Sequence, residues 1–103
     1  MPDYVHRSER RYAVQQPAWV RIIDQHARAI PTVTENVSNS GFLLRSELPV
    51  PLNSQVEINL LLPSGPHLKG TGHVVRVEKP LPGQTFLLAV KCDHPLEIDT
   101  WTI

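Results

Sequence analysis

Gln55-Val56-Glu57-Ile58-Asn59-Leu60-Leu61-Leu62 leads directly into Pro63-Ser64-Gly65-Pro66, and the chain resumes as a run from His67 to Glu78. Val56, Ile58, Leu60 and Leu62 fall on one side of an extended chain, with Glu57 and Asn59 on the other. This is the period of two that a half-buried strand requires. The Pro/Gly cluster that follows is the clearest hairpin turn in the chain. His67 to Glu78 reads as a long returning strand, with Gly70 and Gly72 as its expected bend points.

The same grammar extends in both directions. Ala18-Trp19-Val20-Arg21-Ile22-Ile23-Asp24 is rich in β-branched and aromatic residues, with Trp19, Arg21 and Ile23 opposite Val20, Ile22 and Asp24. Gln25-His26-Ala27 turns the chain into a strand from Arg28 to Val37, whose Pro31 implies an edge position or a bulge. Ser38 to Gly41 is a turn, Phe42 to Ser46 a short strand, and Pro49 to Ser54 a connection rich in turn residues. Beyond the long strand, Pro80-Leu81-Pro82-Gly83 turns the chain into Thr85 to Lys91. Six short strands with no helical period before the tail predict an all-β fold, a small six-stranded antiparallel barrel. Residues 1–16, polar and Arg-rich, are expected to form a flexible arm, with 17–103 as the barrel domain and its tail. From Pro95 to Ile103 the tail either forms a short helix or packs Ile98 and Trp101 on the barrel.

At 103 residues the chain suits one domain with a modest core. Ten Lys and Arg balance ten Asp and Glu, so nothing in the net charge draws the molecule to polymeric nucleic acid or a membrane surface. The charges are unevenly spread. Five Arg stand among the first thirty residues against Asp3, Glu9 and Asp24, whereas Asp93, Glu97 and Asp99 face no Lys or Arg after Cys92. A local basic arm of this kind favours a small anion. The lone Cys92 excludes an internal disulfide. With no signal-peptide pattern and no run of transmembrane length, a cytoplasmic protein without membrane insertion is expected.

Two short patterns carry chemistry. Arg7-Ser8-Glu9-Arg10-Arg11 contains R-x-x-x-R, and Asn36-Val37-Ser38-Asn39-Ser40-Gly41 reads [D/N]-x-S-x-x-G. Guanidinium forks match phosphates and guanine edges, while an amide, a hydroxyl and a glycine suit close polar contact with a base and its backbone. Taken together, they point to a guanine-containing, doubly phosphorylated small ligand. Taken separately, the first is an ordinary solvated basic arm and the second an ordinary hairpin turn.

With these motifs and the barrel between them, the sequence resembles the PilZ domain family, bacterial receptors for the second messenger cyclic di-GMP. The likeness runs from Arg7 to about Lys91. Arg11 precedes Pro17 by six residues, as in the family's R-x-x-x-x-x-P, and Gly72-His73-Val74-Val75-Arg76-Val77 is similar to its G-x-V-V-[W/R]-V. The resemblance implies that Arg7 and Arg11 wrap the arm over the ligand, gripping phosphate or stacking on guanine. It also implies that Asn36 and Ser38 meet a guanine edge and a phosphate, with Gly41 allowing a left-handed turn and close backbone approach. Arg10, Asn39, Ser40, Arg76 and His6 are further candidates, and Lys91 joins Arg76 among solvent-facing strand positions that could line the ligand face. Three or four charge-assisted contacts, less the cost of ordering the arm, imply an affinity near micromolar, about −8 kcal/mol.

Two departures bear on that expectation. The family often has Asp where this chain has Asn36, and only a carboxylate accepts both hydrogen bonds offered by guanine N1 and N2. His6 is neither the Arg that accompanies a ligand dimer in the family nor the bulky apolar residue that accompanies a single ligand, which leaves stoichiometry open.

Other chemistries are poorly supported. His67, His73 and His94 lack a recognised metal-ligand spacing, and no G-x-S-x-G elbow is present, so neither a metal site nor an enzyme is expected. Trp19 and Trp101 are read as core or barrel-end packing. No cofactor is implied. The expected role is a cyclic di-GMP receptor, a monomer or weak dimer, that relays arm ordering to a downstream protein. The alternative is a barrel of the same fold that binds protein and no nucleotide. Nothing in the sequence chooses among motility, exopolysaccharide and pilus pathways.

Overall fold

The structure, a computed structural model, describes residues 11–13, 15–23, 28–62, 67–79 and 81–96. Seven strands follow in order: β1 (Arg11–Tyr12), β2 (Pro17–Ile22), β3 (Ile30–Ser38), β4 (Gly41–Ser46), β5 (Gln55–Leu61), β6 (His67–Glu78) and β7 (Phe86–Cys92). Among the described residues there is no helix. β3, β2, β5, β6, β7 and β4 pair in that order, and β4 pairs again with β3, so six antiparallel strands close a barrel. Closure leaves no free edge in the ring. The two-residue β1, which the sequence reading did not separate from the arm, lies along β3 with Arg11 opposite Ser38 and Tyr12 opposite Val37.

The alternation read from the sequence is the alternation of burial. Ala18, Val20 and Ile22 of β2, and Val56, Ile58 and Leu60 of β5, point into the barrel with Leu44, Val74, Leu88 and Val90. Trp19 is half-buried on the outer face between Pro31 and Asn59, which excludes the core of the two placements read from sequence, core or barrel-end packing. Polar residues enter the core only with partners. The Thr32 hydroxyl donates to the Ala18 carbonyl at 2.9 Å, and Thr34 Oγ1 accepts from the Gln16 amide at 2.9 Å. Pro31 stands one residue beyond the last β3–β4 pair, Thr32 with Ser46. Its missing amide therefore falls where no ladder bond is needed.

Where they are described, the turns follow local chemistry. Gly83 has φ 82° and the Gln84 amide donates to the Leu81 carbonyl at 3.0 Å, a type II turn with Pro82 and Gly83 at its centre. The Pro63–Pro66 and Gln25–Ala27 turns lie outside the described residues, although Leu61 pairs with His67 on either side of the former. In β6 the register shifts between Val74 and Arg76, beyond Gly70 and Gly72. Gly72 is small because a Cβ there would lie 2.3 Å from the Lys91 carbonyl oxygen of the neighbouring strand. The second shift, in β3 between Thr34 and Asn36, lies downstream of Pro31.

Candidate functional site

Both register shifts act on the candidate residues. Up to Thr34 the even-numbered side chains of β3 point inward, as Thr32 and Thr34 do. The extra residue, Glu35, reverses the alternation, so that Val37 turns inward and Asn36 faces out opposite Leu43. Without this bulge Asn36 and Ser38 would aim into the core. In β6 the extra residue is Val75, after which Arg76 faces out opposite Ala89 and Val77 turns toward the core. Bulges re-aim side chains in this way at the cost of one unpaired residue. Glu35 is held by Arg45, whose Nε lies 2.5 Å from the carboxylate.

The resulting registers align the candidates in rows across the sheet. One row runs Asn36, Leu43, Ala89, Arg76; the next runs Ser38, Gly41, Lys91, His73. Adjacent strands lie about 4.8 Å apart, so three steps separate the Asn36 and Arg76 backbones by roughly 14 Å along the sheet. Between them lies a groove of about 270 Å³. Asn36, Ser38 and Ser40 form one wall, Arg76 and Lys91 the other, and the small residues Gly41 and Ala89 lie between them. β1 brings the backbone of Arg11 beside Ser38, so the last residue of R-x-x-x-R meets the second motif at the groove.

The polar groups are unevenly engaged. Asn36 makes no side-chain hydrogen bond among the described residues. Among the described residues the Ser38 hydroxyl has only long contacts, 3.4 Å to Ser40 Oγ and 3.4 Å to the Gly41 carbonyl. Arg76 Nε lies 3.2 Å from Glu78, with both side chains more than half exposed. Such a surface pair is worth about 0–1 kcal/mol and is readily exchanged. These groups are oriented but weakly committed.

Gly41 and Asn39 depart from the sequence reading. Positive φ occurs among the described residues only at Asn53 and Gly83, so Gly41 makes no left-handed turn. It is required because a Cβ there would sit 2.2 Å from the Val90 carbonyl oxygen. Asn39 turns away from the groove toward the C-terminal segment. Its Nδ2 donates to the Leu96 carbonyl at 2.6 Å, and the Leu96 amide donates to the Asn39 carbonyl at 2.8 Å. Leu96 is buried, which shows that the tail packs on the barrel at least this far; Ile98 and Trp101 lie outside the described residues. So do His6, Arg7 and Arg10, and of Arg11 only the backbone position is described. The floor residue Ala89 was not singled out from sequence. Its only signal is its place between inward Leu88 and Val90, which identifies an outward position and not the groove.

A second feature was not anticipated. A larger apolar groove of about 540 Å³ lies between the Pro49–Leu52 connection and the bulged part of β6. Arg76 borders both grooves.

The PilZ domain family model matches residues 6–102. No curated protein sequence matches the chain. Among solved structures, the chain is similar to the inhibitor of motility MotI/DgrA of Bacillus subtilis, with TM-score 0.69 and 13% identity over 90% of this chain. It spans 44% of that protein's length. It is also similar to the PilZ domain of CeSA from a cellulose-synthesizing bacterium, with TM-score 0.56 and 21% identity, covering 89% of this chain and 84% of that one. At these identities the structural likeness speaks for the fold.

Proposed function

The chain belongs to the PilZ domain family, and on that premise we propose that it binds cyclic di-GMP in the polar groove and relays the bound state to a partner protein. One observation carries the reading. The two bulges and the barrel registers gather Asn36, Ser38, Gly41 and Arg76 around one groove, with the end of the arginine motif paired to its rim.

The chemistry follows from these groups. Arg7 and Arg11 close over the ligand from the arm, each able to grip a phosphate through two N–H donors or to lie flat on a purine. The Ser38 hydroxyl exchanges its long contacts for a phosphate oxygen. Asn36 offers its amide to a guanine edge. Arg76 and Lys91 supply positive charge from the opposite wall, and the missing side chain at Gly41 leaves room between the walls. Ordering the arm over the groove changes the molecular surface near β1 and β3, and a second protein reads that change. The protein acts by binding, as a monomer or weak dimer in the cytoplasm, without a cofactor.

Isothermal titration calorimetry with cyclic di-GMP, and GTP as control, tests the reading. Dissociation constants from below one to tens of micromolar, with GTP silent, are expected. Absence of heat with cyclic di-GMP overturns it. The second reading, a PilZ barrel that binds protein and no nucleotide, draws on the apolar groove, which is larger than the polar one.

A further inference from the structure

The apolar groove is built by the chain's own hydrogen bonds. Val74 donates its amide to the Ser54 carbonyl at 3.0 Å and accepts from the Asn53 amide at 2.8 Å, tying the connection to β6. Ser54 also closes a turn on Pro51 at 3.1 Å, with Asn53 at φ 70°. That is the type II geometry, in which Asn tolerates the left-handed position and the preceding residue sits at the tip. The preceding residue is Leu52, and its side chain is 56% exposed. Across the groove, the β6 bulge leaves Val75 47% exposed where regular pleating would have paired it. Val50, 1% exposed, anchors the connection beneath.

Pro49, Pro51, Leu52, Val75, Val77 and Phe86 thus present apolar surface on a prepaid framework, since two prolines and a closed turn lose little entropy on binding. The charges among the lining residues are both positive, Arg76 and Lys79. Glu78 occupies Arg76 from the side, and Lys79 has no ion pair among the described residues.

We propose that this groove docks a segment of another protein that carries adjacent apolar side chains next to a carboxylate. The apolar side chains fill the space between Leu52 and Val75, and the carboxylate meets Lys79 and Arg76. A second copy of this chain fits less well, because a self-apposed patch sets Arg76 and Lys79 of one molecule near the same cations of the other. The assignment stands on the groove itself, and nucleotide binding is tested separately by calorimetry.

The test is a random-peptide display selection on the intact protein, followed by affinity and NMR measurements on the enriched peptides. Enrichment of apolar sequences with adjacent Asp or Glu is expected, with shifts at Val75, Val77 and Phe86. Leu52→Asp, at an exposed turn tip, and Lys79→Glu should each weaken binding at least tenfold while the spectrum of the fold is retained. No enrichment, enrichment of basic peptides, or equal binding to both variants overturns the proposal. So does a concentration-dependent dimer in ultracentrifugation that Leu52→Asp abolishes, which would give the groove to a second copy.

Discussion

Asn39 and Leu96 are bonded twice, side-chain amide to carbonyl at 2.6 Å and backbone amide to carbonyl at 2.8 Å, 57 residues apart in the chain. The pair joins the turn of the second motif to the C-terminal segment. Cys92 strengthens the link by donating its amide to the Ser40 carbonyl at 2.7 Å. A residue placed by sequence in the ligand motif therefore serves the fold.

Asn39→Ala should cost stability, about 1 kcal/mol for the lost hydrogen bond, and leave nucleotide affinity nearly unchanged. Leu96→Ala should cost more, about 2–5 kcal/mol, because it empties a buried site. Denaturant unfolding measures both, and calorimetry shows whether Asn39 is neutral to the ligand. A large loss of affinity with full stability would return Asn39 to the groove.

Gly41→Ala should fail differently. The added methyl meets a backbone oxygen at 2.2 Å and nothing flexible can yield, so β4 and β7 must part at their Gly41–Lys91 pairing. A loss of about 1–3 kcal/mol in unfolding free energy is expected, comparable to overpacking a core. Any loss of binding in this variant would then report distortion of the groove.

Asn36 and Ser38 are the positions where binding and stability should separate. Asn36→Asp should tighten cyclic di-GMP binding several-fold, since a carboxylate accepts from both guanine N1 and N2. Ser38→Ala should weaken it, with little effect on unfolding given the 3.4 Å contacts that it loses. Calorimetry paired with thermal melts reads both quantities.

Arg7→Ala and Arg11→Ala should each weaken binding by about 2 kcal/mol, the worth of a charge-assisted contact. Arg76→Gln should weaken it less, because the side chain must first leave Glu78. If either arm variant binds like the parent protein in calorimetry, that arginine has no part in the site.

Asp93 should contribute to the acid response of stability. Gln55 donates a hydrogen bond to its carboxylate and His73 lies within 3.4 Å, and with the Gln55 bond first these hold the Asp93 carboxyl below its ordinary value. A carboxylate with a lowered pKa in the folded state adds stability above its unfolded pKa and loses it as pH falls through the folded one. Asp93→Asn should therefore flatten the acid side of the stability curve, measured by melts between neutral pH and about pH 3.

The alternation of Val56, Ile58 and Leu60 against Glu57 and Asn59, the Pro82-Gly83 turn and the two motifs were legible in the sequence because each depends on neighbours along the chain. The antiparallel barrel followed from them. The tertiary structure decided which way the candidate residues face. Interior Thr32 and Thr34 hide the β3 alternation behind polar side chains, and whether Glu35 or Val75 is the extra residue depends on registers with β4 and β7 that barrel closure imposes. Those registers put Asn36 level with Arg76, gave Gly41 its carbonyl neighbour, and turned Asn39 to Leu96. Such pairings join residues dozens of positions apart, and no local pattern in the chain encodes them.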